Sequence, residues 1–474
     1  MKLFRPSPLN RLLALGVLAC ASCTDLPAGA AGQQLPRAAA RADLDSLAAI
    51  VRNNSAYRMV NGFAFDAHLD SVAHSLPDSV PVVAFWRMVQ TAVGRLQDAH
   101  SNVRLPQGLM LPSMTGVLPF ALATAGDTVV ALASCRCSLF VAGFPRAVAI
   151  NDVPIDSLMR LAGIRFVGHS PQRFRYRALG ALRQIEGILQ LAGAGRAGRL
   201  AVRLGGALDD TVVHVTTVSR REAGRLQQAA EFEMAGPIAV LTIRRMTESA
   251  DSIVRNAIET APFRASRAVL IDVRGNDGGT RDVLETIVPH LIRRPLVYNV
   301  AVVRVDTNGV GDRALVVPED RALPEAARAA LRQALTEFRP SWDYRVDDFL
   351  PMRFGAVLMP ADSSRSISGR LVAVLTDEGC FSSCDIFLGA VRLAPDVTLI
   401  GTPSAGGSGR SRDFMLPGSR LTVVLSTMAS FQPNGELYDG IGIRPTIVVE
   451  RTIADMAAGR DTQKAAAIAF LGRK

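Results

Sequence analysis

Between Asp43 and Leu105 the apolar positions Leu44, Leu47, Ile50 and Val51, and then Val83, Phe85, Met88, Val89, Val93 and Leu96, recur at three- and four-residue steps. That spacing lines one face of a helix and predicts a small helical region over residues 43–112. Over residues 113–222 the pattern shortens into strand-like runs, Thr128 to Leu132 and Ala147 to Ile150 among them, broken by glycine and polar turns. A β-rich module is expected there, with a helical insertion over Arg173 to Ala194. Residues 223–450 alternate apolar strands with amphipathic helices, the pattern of an α/β layer fold. The strands are Ile238 to Ile243, Ala268 to Val273, Leu371 to Leu375, Val397 to Ile400 and Leu421 to Leu425; the middle three are almost wholly apolar, as strands buried on both faces are. Met352 to Arg365 shows no clear period. Residues 451–474 are expected to end in a closing helix over Ala465 to Leu471.

The two ends of the chain read differently from this interior. Lys2, Arg5 and Arg11 precede a short apolar stretch, Leu12 to Cys20, which predicts a signal or lipoprotein signal peptide over residues 1–23. The stretch is too short to span a bilayer, and no later segment has the length and purity of a membrane helix. Cys20 or Cys23 is a candidate for lipidation and membrane attachment, and cleavage near Ala28-Gly29-Ala30 is the alternative. Residues 24–42, rich in Ala, Gly, Pro and Gln, read as a flexible tether. An exported protein, periplasmic or anchored as a lipoprotein, is therefore expected.

Composition narrows the functional classes. The 474 residues are 49% hydrophobic, enough for more than one domain with a substantial core. A net charge of +10 raises the question of nucleic acid, but the arginines are scattered and no basic run alternates with aromatics, so no nucleic-acid partner is expected. The only lysines are Lys2, Lys464 and Lys474, which bears on the chemistry below. Beyond the leader the cysteines form two close pairs, Cys135 with Cys137 and Cys380 with Cys384. Export favours disulfides, and with no histidine beside either pair no metal or other cofactor is expected. Cys380 and Cys384 are a candidate disulfide.

Two strand ends carry candidate chemistry. Arg274-Gly275-Asn276-Asp277-Gly278-Gly279 follows a strand and offers glycines where backbone N–H groups can turn into a cleft, as an oxyanion hole needs; a plain tight turn has the same composition. Cys380-Phe381-Ser382-Ser383-Cys384-Asp385 places two serines at the start of a helix, in the positive end of its dipole. Either serine there can be a nucleophile or simply the helix cap.

Taken together the two junctions resemble the signature of the C-terminal-processing and tricorn-core serine peptidases: an Arg-x-Asn-x-Gly-Gly turn and, later, Ser-x-x-acid opening a helix. The resemblance implies Ser382 as nucleophile, three residues before Asp385, with the amides of Ser383 and Gly278 as the oxyanion hole. The best-known branch activates its serine with a lysine after the next strand, where this chain has Gly401-Thr402-Pro403-Ser404-Ala405-Gly406-Gly407, with glycine in the lysine's place. A serine hydroxyl needs a base. Leu96-Gln97-Asp98-Ala99-His100-Ser101 resembles the Leu-x-Asp-Gly-His-Thr segment of the tricorn-like branch, implying His100 as that base, with Ala99 where that branch can carry a serine. Asp439-Gly440-Ile441-Gly442-Ile443-Arg444-Pro445 resembles the acid-Gly-x-Gly-Val-x-Pro motif and supplies Asp439 as third member, although a glutamate usually stands there. His68, His74, His169, His214 and His290 have no such context and read as surface or core.

The resemblance implies an α/β, crotonase/ClpP-like core with an N-terminal helical domain and, from the likeness of Val148 to Ile155 to a PDZ strand, turn and strand, a degenerate PDZ-like module. It implies a serine-type endopeptidase acting on polypeptides, and an imidazole base implies activity rising through roughly pH 6 to 7. The rival readings are a non-catalytic binding protein for a hydrophobic ligand or peptide on the same scaffold, ester or lactam hydrolysis by the same serine, and acyl-thioester chemistry. Nothing in the sequence sets the oligomeric state.

Overall fold

The computed structural model describes residues 33–58, 63–107, 109, 116–194, 198–219, 228–304, 322–339, 341, 352–362, 367 and 369–473. The expected signal peptide, with Cys20 and Cys23, lies outside the described residues.

The central layer is a six-stranded sheet in the order Ala230–Ala235, Ile238–Ile243, Ala268–Asp272, Leu371–Thr376, Val397–Gly401 and Ile447–Val448. The first two strands form an antiparallel hairpin and the rest run parallel. The nearly all-apolar middle strands are covered on both faces, as their composition requires. The helices Glu248–Glu259, Asp282–Leu291 and Ser383–Val391 pack over one face. The closing helix Thr462–Leu471 lays Ala467 and Leu471 against Val240, Leu270 and Leu375 on the other. Every residue of Ser383–Val391 is buried, so this helix and the residue before it are held from all sides.

The β module is a six-stranded antiparallel sheet, Ala121–Ala125, Thr128–Leu132, Arg146–Ile150, Arg199–Gly205 and Asp210–Thr216 in order, with the short strand Val153–Pro154 paired to Arg146–Ile150 off this path. Asn151 and Asp152, with φ of 48° and 60°, make the tight turn that pairs Ile150 with Val153 and leads into the helix Ile155–Ala162. Asn and Asp tolerate that left-handed backbone better than other residues with side chains. The expected insertion is two helices, Pro171–Leu182 and Ile185–Leu191; the first is anchored to the core by Gln172, which donates to the carbonyls of Ser404 (3.0 Å) and Ile441 (3.2 Å).

Three features differ from the sequence reading. The expected tether ends early, because a strand begins at Gln34 and a helix at Arg37, where Ala40, Leu44 and Leu47 already point into a core. Leu421 to Leu425 does not join the main sheet: Thr422–Ser426 pairs with Ser411–Met415 on one side and with Asn102–Arg104, just beyond the N-terminal helices, on the other. Met352–Met359 is a strand, paired with Leu296–Arg304, which in turn pairs with Met428–Phe431. Its mixture of arginine, glycine and apolar residues hides the two-residue period.

The N-terminal helices are consequently fused to the α/β region. Their core takes in Leu416, Leu421, Val423 and Leu425, and the buried Asp43 carboxylate accepts the N–H groups of Gly418 and Ser419 at 2.7 Å each. Asp43→Ala leaves those two N–H groups without their acceptor and is expected to cost about 1–3 kcal/mol in chemical denaturation. The exposed neighbour Asp45→Ala is the control, expected to fall within about 0.5 kcal/mol of the parent.

Candidate active site

Ser382 sits between the Leu371–Thr376 strand and the Ser383–Val391 helix with φ 61° and ψ −120°, a conformation a residue with a side chain adopts only under constraint. The constraint is visible. The Phe381 N–H donates to the Asn276 carbonyl (2.9 Å), and Asp377 Oδ1 accepts from both Gly275 N–H (2.7 Å) and Gly379 N–H (2.9 Å), so the two turns that follow neighbouring strands are tied together. Behind Ser382, the buried Asp385 accepts the Ser382 N–H (3.1 Å), the Gly406 and Gly407 N–H groups (3.1 Å each) and the Ser404 hydroxyl. Burial pushes Asp385 up to about 7, against the pull of these hydrogen bonds. The acid of the Ser-x-x-acid pattern thus caps the serine's own backbone in a capping box, in which the Ser382 oxygen faces the Asp385 N–H in return, and the hydroxyl proton is left for another partner.

That partner is His100. Its Nε2 lies 3.1 Å from Ser382 Oγ, across 282 residues of sequence. Asp98 shapes the turn that presents it, accepting the His100 N–H (2.9 Å) on Oδ1 and the Ser101 hydroxyl on Oδ2, while the Ser101 oxygen accepts the Ser426 N–H (2.9 Å). Asp98 is pushed up to about 7, first by burial and then by Asp439. The imidazole stacks on Phe381, with ring centroids 4.7 Å apart and planes 19° from parallel. Burial lowers the His100 pKa below its ordinary 6.5, partly offset by the charge of Asp439.

Asp439 lies beside the histidine and does not hydrogen-bond to it. Its oxygens accept from the Tyr57 hydroxyl (2.5 Å), Ser408 N–H (3.1 Å) and Ala99 N–H (3.2 Å). His100 Nδ1 is buried with no hydrogen-bond partner. Asp98, His100 and Asp439 each bring one ligand atom within 4.8 Å of the others, the one arrangement among the described residues that could hold a metal ion. The hydrogen bonds already made to both carboxylates direct their oxygens into the protein.

Gly278 and Ser383 flank the serine, but their amides differ. The Gly278 N–H is already donated to Asn276 Oδ1 at 2.9 Å. The glycine is required for closeness instead: a Cβ there, at φ 88°, would lie 2.6 Å from the Phe381 carbonyl and 2.8 Å from Ser382 Cβ. The bridge to Met246 uses the Gly278 carbonyl and the Thr280 N–H, so the next glycine amide, Gly279, is the one not engaged by it. Ser383 opens the helix, where N–H groups have no intrahelical acceptor.

The candidate disulfide is corrected. Cys380 and Cys384 are buried free thiols, both directed at the Val273 carbonyl (3.0 and 3.9 Å), and the disulfide among the described residues is Cys135–Cys137. With its sulfur held among Val273, Thr376 and the Asp377 N–H, Cys380 serves as part of the core packing beneath the turn.

Sequence reasoning passed over four residues here. Tyr57 is fully buried against Asp439. Phe381 carries His100 on its ring and also stacks with His169, centroids 5.9 Å apart. Arg173, buried, lies with Cζ 4.4 Å from the Phe381 centroid, donates to the Gly379 carbonyl (3.0 Å) and pairs with Asp277. His169, read from sequence as surface or core, is driven down to about 3, chiefly by burial and then by Arg173, and stays neutral. The one available signal was the aromatic directly before the serine; Tyr57 and Arg173 carry none. The missing lysine also has a structural counterpart, because a Cβ on Gly407 would fall 2.3 Å from Phe381 Cε2, so this glycine leaves room for the ring.

A strained serine between a strand and a helix, an imidazole on its hydroxyl and neighbouring backbone amides define a serine-type peptidase, a hydrolase. Residues 237–449 match the model of peptidase family S41. Mature CPAF has the same fold, with a TM-score of 0.61 at 15% identity over 92% of this chain and 96% of that one. Its complex with lactacystin gives 0.60 at 15% identity over 92% and 97%. A protein described as a peptidase, from Parabacteroides merdae ATCC 43184, gives 0.52 at 15% identity over 92% and 97%. No curated protein sequence matches the chain.

The Gly407 contact gives a direct test. Gly407→Ala is expected to displace the Phe381 ring and with it His100, slowing fluorophosphonate labelling of Ser382 by roughly 10²-fold, the scale of an ångström-sized misplacement. Unchanged labelling would mean that the ring does not position the histidine.

Proposed function

We propose that this chain is an exported peptidase that cleaves polypeptides through an acyl-enzyme on Ser382, with His100 as general base. The observation that carries the reading is the 3.1 Å approach of His100 Nε2 to Ser382 Oγ. His100 takes the hydroxyl proton as Oγ attacks the peptide carbonyl; it then returns that proton to the leaving amine as the C–N bond breaks. Water, deprotonated by the same imidazole, hydrolyses the ester. The Ser383 and Gly279 N–H groups are the proposed oxyanion donors, Gly279 replacing Gly278 because the latter's amide is engaged. Asp439 acts by its charge, favouring the imidazolium that forms mid-reaction, and Phe381 supplies the orientation that a hydrogen bond to an acid would otherwise give. Export is supported by the basic and apolar N-terminal sequence and by the Cys135–Cys137 disulfide, a bond that persists in oxidising compartments.

The reading is tested by treating the protein and its Ser382→Ala, Ser383→Ala and His100→Ala variants with a fluorophosphonate and mapping the adduct by mass spectrometry. The adduct is expected on Ser382, retained in Ser383→Ala, and formed about 10³-fold or more slowly in His100→Ala. An adduct that forms equally well without His100 would contradict it.

The lowered His100 pKa fixes the sign of the pH dependence. A depressed imidazole keeps its basic, neutral form to lower pH, so the acid limb of kcat/KM is expected below pH 6.5, the ordinary histidine value. A limb centred above 6.5 would show that Asp439 outweighs burial.

A further inference from the structure

The helix Arg37–Asn54 runs out into Ser55-Ala56-Tyr57, and the backbone of this short segment is pinned. The Ser55 N–H donates to the Val51 carbonyl (3.0 Å), the Ala56 N–H to the Ser426 carbonyl (3.1 Å) and the Tyr57 N–H to Ser55 Oγ (3.1 Å). The Tyr57 ring is fully buried in a cluster with Val297, Val300, Val302, Ala429 and Phe431. A ring packed in this way has its hydroxyl aimed, and the hydroxyl donates to Asp439 Oδ2 at 2.5 Å. Burial, and then the charges of Asp439 and Asp98, raise the phenol well above its ordinary pKa, so it remains a donor across the working range of pH.

Asp439 is thereby shared among three donors. The Tyr57 hydroxyl and the Ser408 N–H are on Oδ2, and the Ala99 N–H is on Oδ1. Two of the three are backbone amides; Tyr57 is the one side chain among them. The carboxylate is close to the imidazole all the same, with one oxygen within 4.8 Å of a His100 ring nitrogen. A neutral imidazole whose Nε2 accepts the serine proton carries its own proton on Nδ1. That Nδ1 is buried and has no hydrogen-bond partner, beside an acid that is engaged elsewhere.

We propose that Tyr57 is a positioning residue of the serine–histidine pair: its hydroxyl holds the Asp439 carboxylate on the Ala99 and Ser408 amides and off His100 Nδ1, so that the acid acts on the imidazole by charge and not through a hydrogen bond. The inference rests on the reading of His100 as the base. A hydrogen bond from Nδ1–H to the carboxylate would favour the imidazolium and raise the pH at which His100 becomes basic. By withholding it, Tyr57 extends the basic form to lower pH. The other groups that face the imidazole are left in place: Arg173 and Asp277 act on it by charge, Asp98 accepts its backbone N–H, and His169, stacked on the same Phe381 ring, stays neutral. Tyr57→Phe removes the hydroxyl alone and keeps the ring in its cluster.

The test is NMR of the full chain carrying ring-labelled histidine, with the His100 signals assigned by their loss in His100→Gln. The parent, Tyr57→Phe, Asp439→Asn and the double variant are titrated, and the pH dependence of fluorophosphonate labelling of Ser382 is measured alongside. The strongly deshielded proton of a carboxylate-bound imidazole N–H is expected to be absent in the parent and present in Tyr57→Phe. Tyr57→Phe is expected to raise the His100 midpoint by about one pH unit or more, and the acid limb of labelling with it. Asp439→Asn lowers the midpoint, and the double variant matches Asp439→Asn, because Tyr57 acts only through that acid. A deshielded N–H already present in the parent overturns the proposal, whatever becomes of the variants. An unmoved midpoint in Tyr57→Phe, with labelling slowed equally at every pH, also overturns it and leaves the tyrosine a packing residue; a shift that persists without the Asp439 carboxylate does the same. The midpoint is read from the imidazole itself, so a chain in which Ser382 is never labelled defeats the peptidase reading while this inference is still decided.

Discussion

Three residues of strand pairing hold the site together. Arg104, Val103 and Asn102 face Thr422, Val423 and Val424 in antiparallel register, and His100 stands two residues before that strand. The backbone partners are more than 300 residues apart in sequence, so the pairing has a large loop-closure cost that local propensity cannot offset. Apolar burial offsets it: Val103, Val423 and Leu425 join the N-terminal core, and Trp86 donates to the Val103 carbonyl at 2.8 Å. Side-chain clips add to it at either end, Ser101 on Ser426, Ser411 on the His100 carbonyl, and Asp43 on Gly418 and Ser419. A base delivered from another part of the chain is only as well placed as this seam.

The other half of the site is organised by buried acids that bind backbone. Asp377 ties the two turns, Asp385 holds the serine's N–H together with the Gly406 and Gly407 amides, and Asp439 joins Tyr57, Ala99 and Ser408. Each carboxylate fixes segments distant in sequence, which is how a residue at φ 61° is kept in a conformation that costs of order 1–3 kcal/mol. The absence of a lysine changes the packing as well as the base. Where a lysine chain would run, glycine admits the Phe381 ring, and that ring carries the histidine.

Much of this was legible in the sequence. The middle strands announced themselves as apolar runs, and Ser382, His100 and Asp439 stood in separated motifs of one resemblance, which the structure brings side by side. What stayed hidden depends on tertiary placement. The strand at Thr422–Ser426 has the same β-branched character as the core strands, and only its partner, a strand from the N-terminal region, separates it from them. Tyr57 follows a helix in a polar stretch with nothing to mark its hydroxyl as Asp439's partner. Spacing alone also misassigned the cysteines: four residues apart at a strand-to-helix turn suits a bridge, but both thiols point at one carbonyl in the core. The Gly278 amide looked available until the Asn276 side chain two residues earlier was seen to take it.

The central claim is that Ser382 and His100 act as one unit, and a double-mutant cycle on kcat/KM for an unfolded polypeptide substrate tests it most directly. If the imidazole works only through the serine, Ser382→Ala, His100→Ala and the double variant lose about the same factor, roughly 10⁴ or more, with nothing further lost in the double. Losses that multiply in the double variant would mean that the two residues act independently, and the 3.1 Å contact would not be the catalytic one.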